Sequence, residues 1–180
     1  MEKVRRSPVE TSALIQTILQ QYALASDGLH GVSHWARVWE NGTRIAQATT
    51  GANLRVVRLF AFFHDAKRTN DGHDPQHGLR GADYAASLRT TLLQELSDAE
   101  FDLLYAACAY HTDGLTDHHP TVQACWDADR LDLNRVGILP QPIRLCTEAA
   151  KAPALLAWAN SRAANRITPE FIQTLWELPA

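Results

Sequence analysis

The sequence predicts an all-α fold, and three observations carry that expectation. Helix-capping groups recur along the chain, at Ser7-Pro8 with Glu10, at Ser97 with Glu100 and at Thr168-Pro169 with Glu170. Apolar residues between them repeat at three- and four-residue spacing, as one face of a helix requires. Stretches with the alternation of a half-buried strand are nearly absent. The chain has 180 residues, 46% of them hydrophobic and 21% charged. That suits one domain with a real core, since a chain of this size buries roughly 70% of its unfolded surface.

The first helix is expected from the Ser7 cap to about Ser26, where Asp27-Gly28 stops it. The second runs from about Val32 to Thr50, with Trp35, Val38, Trp39, Gly42, Ile45 and Ala46 on one face and Gly51 past its end. The third, from about Ala52 to Lys67, is apolar nearly all round through Leu54, Val57, Leu59, Phe60, Phe62 and Phe63, which places it in the middle of the core. Residues 68–76 hold Asn70-Asp71-Gly72 and Asp74-Pro75 and read as a loop. A fourth helix follows from about Gln76 to Leu96, and a fifth from the Ser97 cap to near His111. After a polar loop over 112–120 comes a short helix to about Leu133. One or two more follow Pro140 and Pro142, and Thr168-Pro169-Glu170 opens a last short one. The five tryptophans all sit among apolar neighbours and read as core. The segment after Pro142 carries no motif and is expected to pack over the core and wall one side of a pocket.

Composition narrows the partners. A net charge of −3 with thinly spread cations offers no basic stripe, so no nucleic-acid polymer is expected. Lys3, Arg5 and Arg6 read as a solvated terminus. Cys108, Cys125 and Cys146 lack a CxxC pair and sit in apolar helical contexts, which reads as buried reduced thiols of a cytoplasmic protein. No apolar run reaches the ~20 residues of a membrane span. The charged start lacks the apolar stretch of a signal peptide. A homodimer is left open.

The compositional oddity is eight histidines, concentrated between His30 and His119. Histidine is the commonest metal ligand and the usual acid–base residue near neutral pH. His64-Asp65 stands at the polar end of the most buried helix, in line with Leu54, Val57 and Ala61. A buried carboxylate without a partner costs several kcal/mol, and a bound cation removes that cost. A His–Asp hydrogen bond without metal explains an isolated dipeptide equally well. Four further metal-competent residues repeat the placement. His34 lies one turn before Val38, Asp129 on the stripe of Val122, Cys125 and Trp126, His77 in the first turn of the fourth helix, and His111 at the end of the stripe Phe101, Leu104 and Cys108. Together these terminal turns read as one shared polar site.

The order His34, His64-Asp65, Asp129 resembles the H…HD…D signature of the HD-domain superfamily of metal-dependent phosphohydrolases. Gly31-Val-Ser-His34-Trp-Ala-Arg-Val38 is similar to its GxxHxxRV opening, Phe62-Phe-His64-Asp65 to its second motif and Ala128-Asp129-Arg130-Leu131-Asp132 to its third. The likeness spans about residues 30–135. It implies a compact HD-like bundle of about five core helices with additional C-terminal helices, and His34, His64, Asp65 and Asp129 as metal ligands. Some HD proteins add two histidines, with the HD aspartate bridging two ions. His77-Gly-Leu-Arg-Gly-Ala82 resembles that further motif, and Tyr110-His111 offers the fourth histidine.

Such ligands suit one or two divalent ions, Mn, Fe, Co, Zn or Mg, and no thiolate is near. The resemblance implies hydrolysis of a phosphate ester of a small metabolite, with a nucleotide as the favoured class, by a metal-activated water. Asp65 with Lys67, Arg68 and Arg80 are the expected catalytic and phosphate-holding residues, though these cations also suit a solvated loop face. In several HD nucleotidases an acidic residue shortly after the HD pair is the general acid or base. Lys67 and Arg68 occupy that stretch here, leaving Asp74, Asp71 and Asp113 as substitutes. Arg130 is expected to pair with Asp127 or Asp132. An HD-type di-iron oxygenase and a non-catalytic metal- or nucleotide-binding module are the alternatives.

Overall fold

In the computed structural model, which describes residues 12–177, the chain is all-helical. The helices are α1 (Ser12–Leu19), α2 (Val32–Ala48), α3 (Leu54–Phe63), α4 (His77–Ser87), α5 (Asp98–Tyr110), α6 (Pro120–Arg130), α7 (Glu148–Lys151), α8 (Pro153–Ala164) and α9 (Phe171–Thr174). Single 3₁₀ turns stand at Leu133–Val136 and Pro142–Arg144. There is no strand among the described residues, and no helix among them is long and apolar enough to cross a membrane. The expected cap at Ser7 lies outside the described residues.

Helix α3 occupies the centre. Val56, Val57 and every residue from Leu59 to Phe63 are buried, and α2, α4, α5 and α6 all pack against it. Asn53 caps it, its side chain accepting from the amides of Arg55 (3.0 Å) and Val56 (3.2 Å). The Asn53 side chain also donates to Glu100 at 3.0 Å, which ties the start of α3 to the start of α5. That same Glu100 completes the Ser97 capping box expected from the sequence.

Three helices are shorter than their apolar spacing predicts, α3 ending at Phe63 in place of about Lys67. The first ends at Leu19, and residues 20–31 run through turns fastened by the Tyr22 hydroxyl donating to the His30 carbonyl at 2.8 Å. The fourth ends at Ser87, where a Ser–Thr-rich stretch competes for backbone carbonyls; Ser87 Oγ itself donates to the Tyr84 carbonyl. The Arg89 guanidinium then satisfies the carbonyls of Leu93 and Leu96, so turns replace the last two helical turns while Leu93 and Leu96 stay buried. Four tryptophans are core as expected. Trp158 is only half-buried, with Arg44 and Arg162 over its ring at 4.1 and 4.9 Å. Cys108 and Cys125 are buried free thiols, whereas Cys146 is half-buried.

The seams that α4 makes with α3 and with the end of α5 depend on glycine. A Cβ on Gly81 would stand 2.2 Å from the Phe63 carbonyl oxygen and 3.2 Å from that of His64. A Cβ on Gly78 would meet the Cys108 carbonyl at 2.5 Å and the His111 ring at 2.9 Å. At Gly81 every one of these contacts is backbone, so no side chain can move aside. Gly81→Ala is therefore expected to cost about 1–3 kcal/mol by overpacking, read as a lower denaturant midpoint with unchanged slope. An unchanged midpoint would contradict this packing.

Candidate metal centre

The chain leaves α3 by tightening. Ala66 N bonds the Phe63 carbonyl and Arg68 N the Asp65 carbonyl, each three residues back, so His64 and Asp65 stand in a turn at the helix end. Around it gather His34 from the first turn of α2, Asp129 from the last turn of α6, His77 from the first turn of α4 and His111 just past α5. His34 Nε2 lies 3.0 Å from His64 Nε2, 3.5 Å from Asp65 Oδ2 and 3.4 Å from Asp129 Oδ1. On the other side of Asp65, His77 Nε2 lies 3.3 Å from Oδ1 and 2.8 Å from His111 Nε2. His34, His64 and Asp65 form one triad with metal-ligand spacing, and Asp65, His77 and His111 form a second.

The proton positions decide what those short Nε2 pairs are. All four Nδ1 atoms face acceptors: His34 faces Asp132 Oδ2 at 2.7 Å, and His64, His77 and His111 face the carbonyls of Phe60, Asp74 and Cys108. An Nδ1 facing an acceptor carries the ring proton, which leaves Nε2 as a bare lone pair in the neutral ring. Two such lone pairs at 2.8–3.0 Å are not hydrogen bonds. Adjacent ligands about 2.1 Å from one ion stand about 3 Å apart, so each pair is spaced as neighbours on a shared cation. The residues fit a divalent metal.

The electrostatics agree. Burial pushes His64 down to about 3, against the pull of Asp65 and Asp129, and burial together with His111 holds His77 below its ordinary value. Burial alone would raise both carboxylates, yet the surrounding imidazoles, His64 first, hold Asp65 well below the usual range and Asp129 down to about 2. Neutral imidazoles and ionised carboxylates are the protonation states a metal needs. Since His64 and His77 are depressed, protons compete for them only below the usual imidazole pKa of about 6.5. Protons are therefore expected to displace the metal at a lower pH than they would from unshifted imidazoles. A metal content that falls in step with pH between about 7 and 6 would contradict this.

Three residues outside the expected set build the support. Asp132 accepts from Arg37 Nε at 2.7 Å and Arg37 Nη2 at 3.0 Å while holding His34 Nδ1, and both Asp132 and Arg37 are buried. This carboxylate–histidine pair sets the His34 tautomer and ring plane. The spacing was visible: Arg37 is one turn after His34 and Asp132 three residues after Asp129. Asn41 on α2 adds a bond to the Ala128 carbonyl at 3.0 Å, which positions the end of α6 beside Asp129.

The expected loop residues separate. Arg68 remains at the centre, its Nη1 3.7 Å from Asp65 Oδ1, its Nη2 donating to the Gly72 carbonyl and its buried Nε without a partner. Lys67 turns away, lying over the Tyr84 ring at 4.0 Å and donating to Gln21. Arg80 donates to the Lys67 carbonyl and to Asp74 at 2.6 Å, in a shallow groove on that outer side. Asp74 is buried, its Oδ2 accepts from Arg80 and from the amide and hydroxyl of Thr69, and Arg80 first among these holds its carboxyl far below the usual range. Those three residues lock the 68–76 loop, because a chain leaving a tightened turn no longer follows the helical periodicity from which their orientation was read. Arg130 bonds the carbonyls of Gly114, Leu115 and Arg144 in place of the expected aspartates. Asp127 instead takes the amides of Cys146 and Thr147. His118 and His119 are exposed, and His119 caps α6.

The centre opens into a cavity of about 1170 Å³ lined by Asp65, Asp129, His77 and His111 at one end, together with His30, Arg68 and Arg135. His30 is buried and its Nδ1 meets Asp71 Oδ1 at 2.8 Å.

No protein-family model matches the chain, and no curated protein matches it. Among solved structures, the chain is similar to a protein of an uncultured Thermotogales bacterium described as a predicted HD superfamily hydrolase. The two are 25% identical over 92% of this chain and 90% of that one, with a TM-score of 0.64. Nearly full-length superposition, and helices that bring His34, His64-Asp65 and Asp129 to one point, lead to one statement. The chain has the HD-domain fold.

Proposed function

We propose that this protein is a metal-dependent phosphohydrolase that releases phosphate from a small phosphorylated metabolite, with nucleotides as the first class to assay. The observation that carries the reading is the pair of Nε2–Nε2 contacts on either side of Asp65, opening onto a cavity with arginine in its wall. In this reading His34, His64, Asp65 and Asp129 would hold one divalent ion, and Asp65, His77 and His111 would hold a second. Ions bound there supply Lewis-acid polarisation of a phosphoryl oxygen and a more acidic water. Arg68 and Arg135 hold the non-reacting phosphate oxygens as planar, permanently charged donors. His30 donates Nδ1–H to Asp71, which makes Nε2 the ring's acceptor and the group that takes a proton from the attacking water. The neighbour described as a predicted HD superfamily hydrolase supports the hydrolase class.

The test is phosphate release from a panel of mono-, di- and triphosphates by protein loaded with manganese, cobalt, iron, zinc or magnesium. Release that EDTA abolishes and metal restores is expected. Turnover indifferent to chelation, or no release from any ester, would contradict the reading. Because both histidine pairs face Asp65, the site also suits a di-iron oxygenase. Oxygen uptake by iron-loaded protein without phosphate release would favour that chemistry.

A further inference from the structure

The far half of the cavity has a character the metal end does not explain. Eight large hydrophobic side chains are exposed among the described residues, and five of them line this one cavity: Leu115, Val136, Ile138, Leu139 and Ile143. Leu115 is 83% and Ile143 86% exposed. Apolar area left in water at this density marks a surface that something covers.

The two apolar walls are fastened to each other. One is the 112–116 loop carrying Leu115, the other the 136–145 segment carrying Ile138, Leu139 and Ile143. The Arg130 guanidinium joins them through the carbonyls of Gly114 and Leu115 on one side and Arg144 on the other. Asp127 anchors the next residues of the second wall through the amides of Cys146 and Thr147, at 2.8 and 2.7 Å. The slot between the walls is therefore built into the fold and leads to the metal ligands.

Its chemistry selects an occupant. The lining includes no Phe, Tyr or Trp on which a nucleobase would stack, and Gln141 is its one side-chain amide. The inner end carries Arg68, with a buried Nε lacking a partner, and Arg135. The cavity exceeds the roughly 300–1,000 Å³ of typical small-molecule sites, so a phosphate at the metal end leaves most of it unfilled.

Building on the proposed function, we infer that the substrate is an amphipathic phosphate ester, its phosphate held between the metal ligands and Arg68 and its aliphatic group lying between Leu115, Ile138, Leu139 and Ile143. The occupant is a small molecule with an alkyl, acyl or prenyl group, in place of the polar nucleoside favoured from sequence.

The experiment uses the metal-loaded full chain and two linked series. Binding of n-alkylphosphonates from ethyl to octyl, kept monomeric, is measured by calorimetry, and phosphate release is measured from the matching alkyl phosphates and from nucleotides. Affinity is expected to rise about fourfold per methylene until the slot is filled, from about 0.8 kcal/mol per buried CH₂ and 1.4 kcal/mol per tenfold. Ile143→Asp and Leu139→Asp are expected to flatten that slope, and kcat/KM for octyl phosphate to exceed that for nucleotides. Affinities independent of chain length overturn the inference whether or not any ester turns over. If nucleotides are then hydrolysed, the proposed function stands without it. A rising slope with no phosphate released from any ester leaves the apolar slot assigned and sinks the phosphohydrolase reading. Dimerisation abolished by Ile143→Asp, with flat affinities, would give the apolar walls to a second copy of the chain and overturn the inference.

Discussion

Asp65→Ala is expected to abolish metal binding at both triads and to lower turnover by roughly a thousandfold or more, since the ions supply several kcal/mol of transition-state stabilisation. The expectation follows from its two oxygens: Oδ2 faces His34 and His64 at 3.5 and 3.6 Å, while Oδ1 faces His77 at 3.3 Å. Other ligands serve one side only. His77→Ala should leave the His34–His64–Asp129 side loaded and remove the second ion alone. The metal-free Asp65→Ala protein should melt lower than metal-free wild type, because its neighbours favour the ionised carboxylate and buried Arg68 loses its partner, so melting alone does not report metal binding. Calorimetric metal titration of both variants reads the contrast. Equal metal content in Asp65→Ala and wild type would show that Asp65 is not shared.

Asp132→Ala should have the largest effect on stability. It leaves Arg37, itself buried, without its bidentate carboxylate, and removing one partner of a buried pair costs about 3–5 kcal/mol. It also frees His34 to rotate and change tautomer, and losses of an orienting partner of this kind lower metal affinity about 10- to 100-fold. Asp132→Asn keeps the shape and part of the Arg37 contact. It is expected to recover much of the stability while still binding metal weakly, because an amide orients His34 less firmly. Thermal melts with and without metal separate the two effects. If Asp132→Asn binds metal as tightly as wild type, Asp132 acts on the fold alone.

The sequence carried the fold class and the convergence of six residues for a physical reason. Each of His34, His64, Asp65, His77, His111 and Asp129 sits in a terminal turn of a stripe whose apolar members must face the core, so burying the stripes delivers the ends to one place. What lies beyond a helix end escaped that logic. Lys67 and Arg68 are adjacent in sequence, yet the tightened turn sends one to Tyr84 and the other to Asp65. Asp127, Asp129 and Asp132 share one helical end, and periodicity does not say which meets a histidine, which a guanidinium and which a backbone amide. The apolar slot was legible only in part, as a segment after Pro142 expected to wall a pocket, which covers Ile143 and leaves out Val136, Ile138 and Leu139. Its facing wall comes from the distant 112–116 loop, and no local pattern links the two.

The most direct test of the account is anomalous diffraction, at the metal's absorption edge, from crystals of metal-loaded protein. Two peaks are expected on opposite sides of the Asp65 carboxylate, one within ligand distance of His34, His64 and Asp129, the other of His77 and His111. Peaks confined to surface carboxylates, with His34 Nε2 and His64 Nε2 still facing each other across an empty gap, would contradict it.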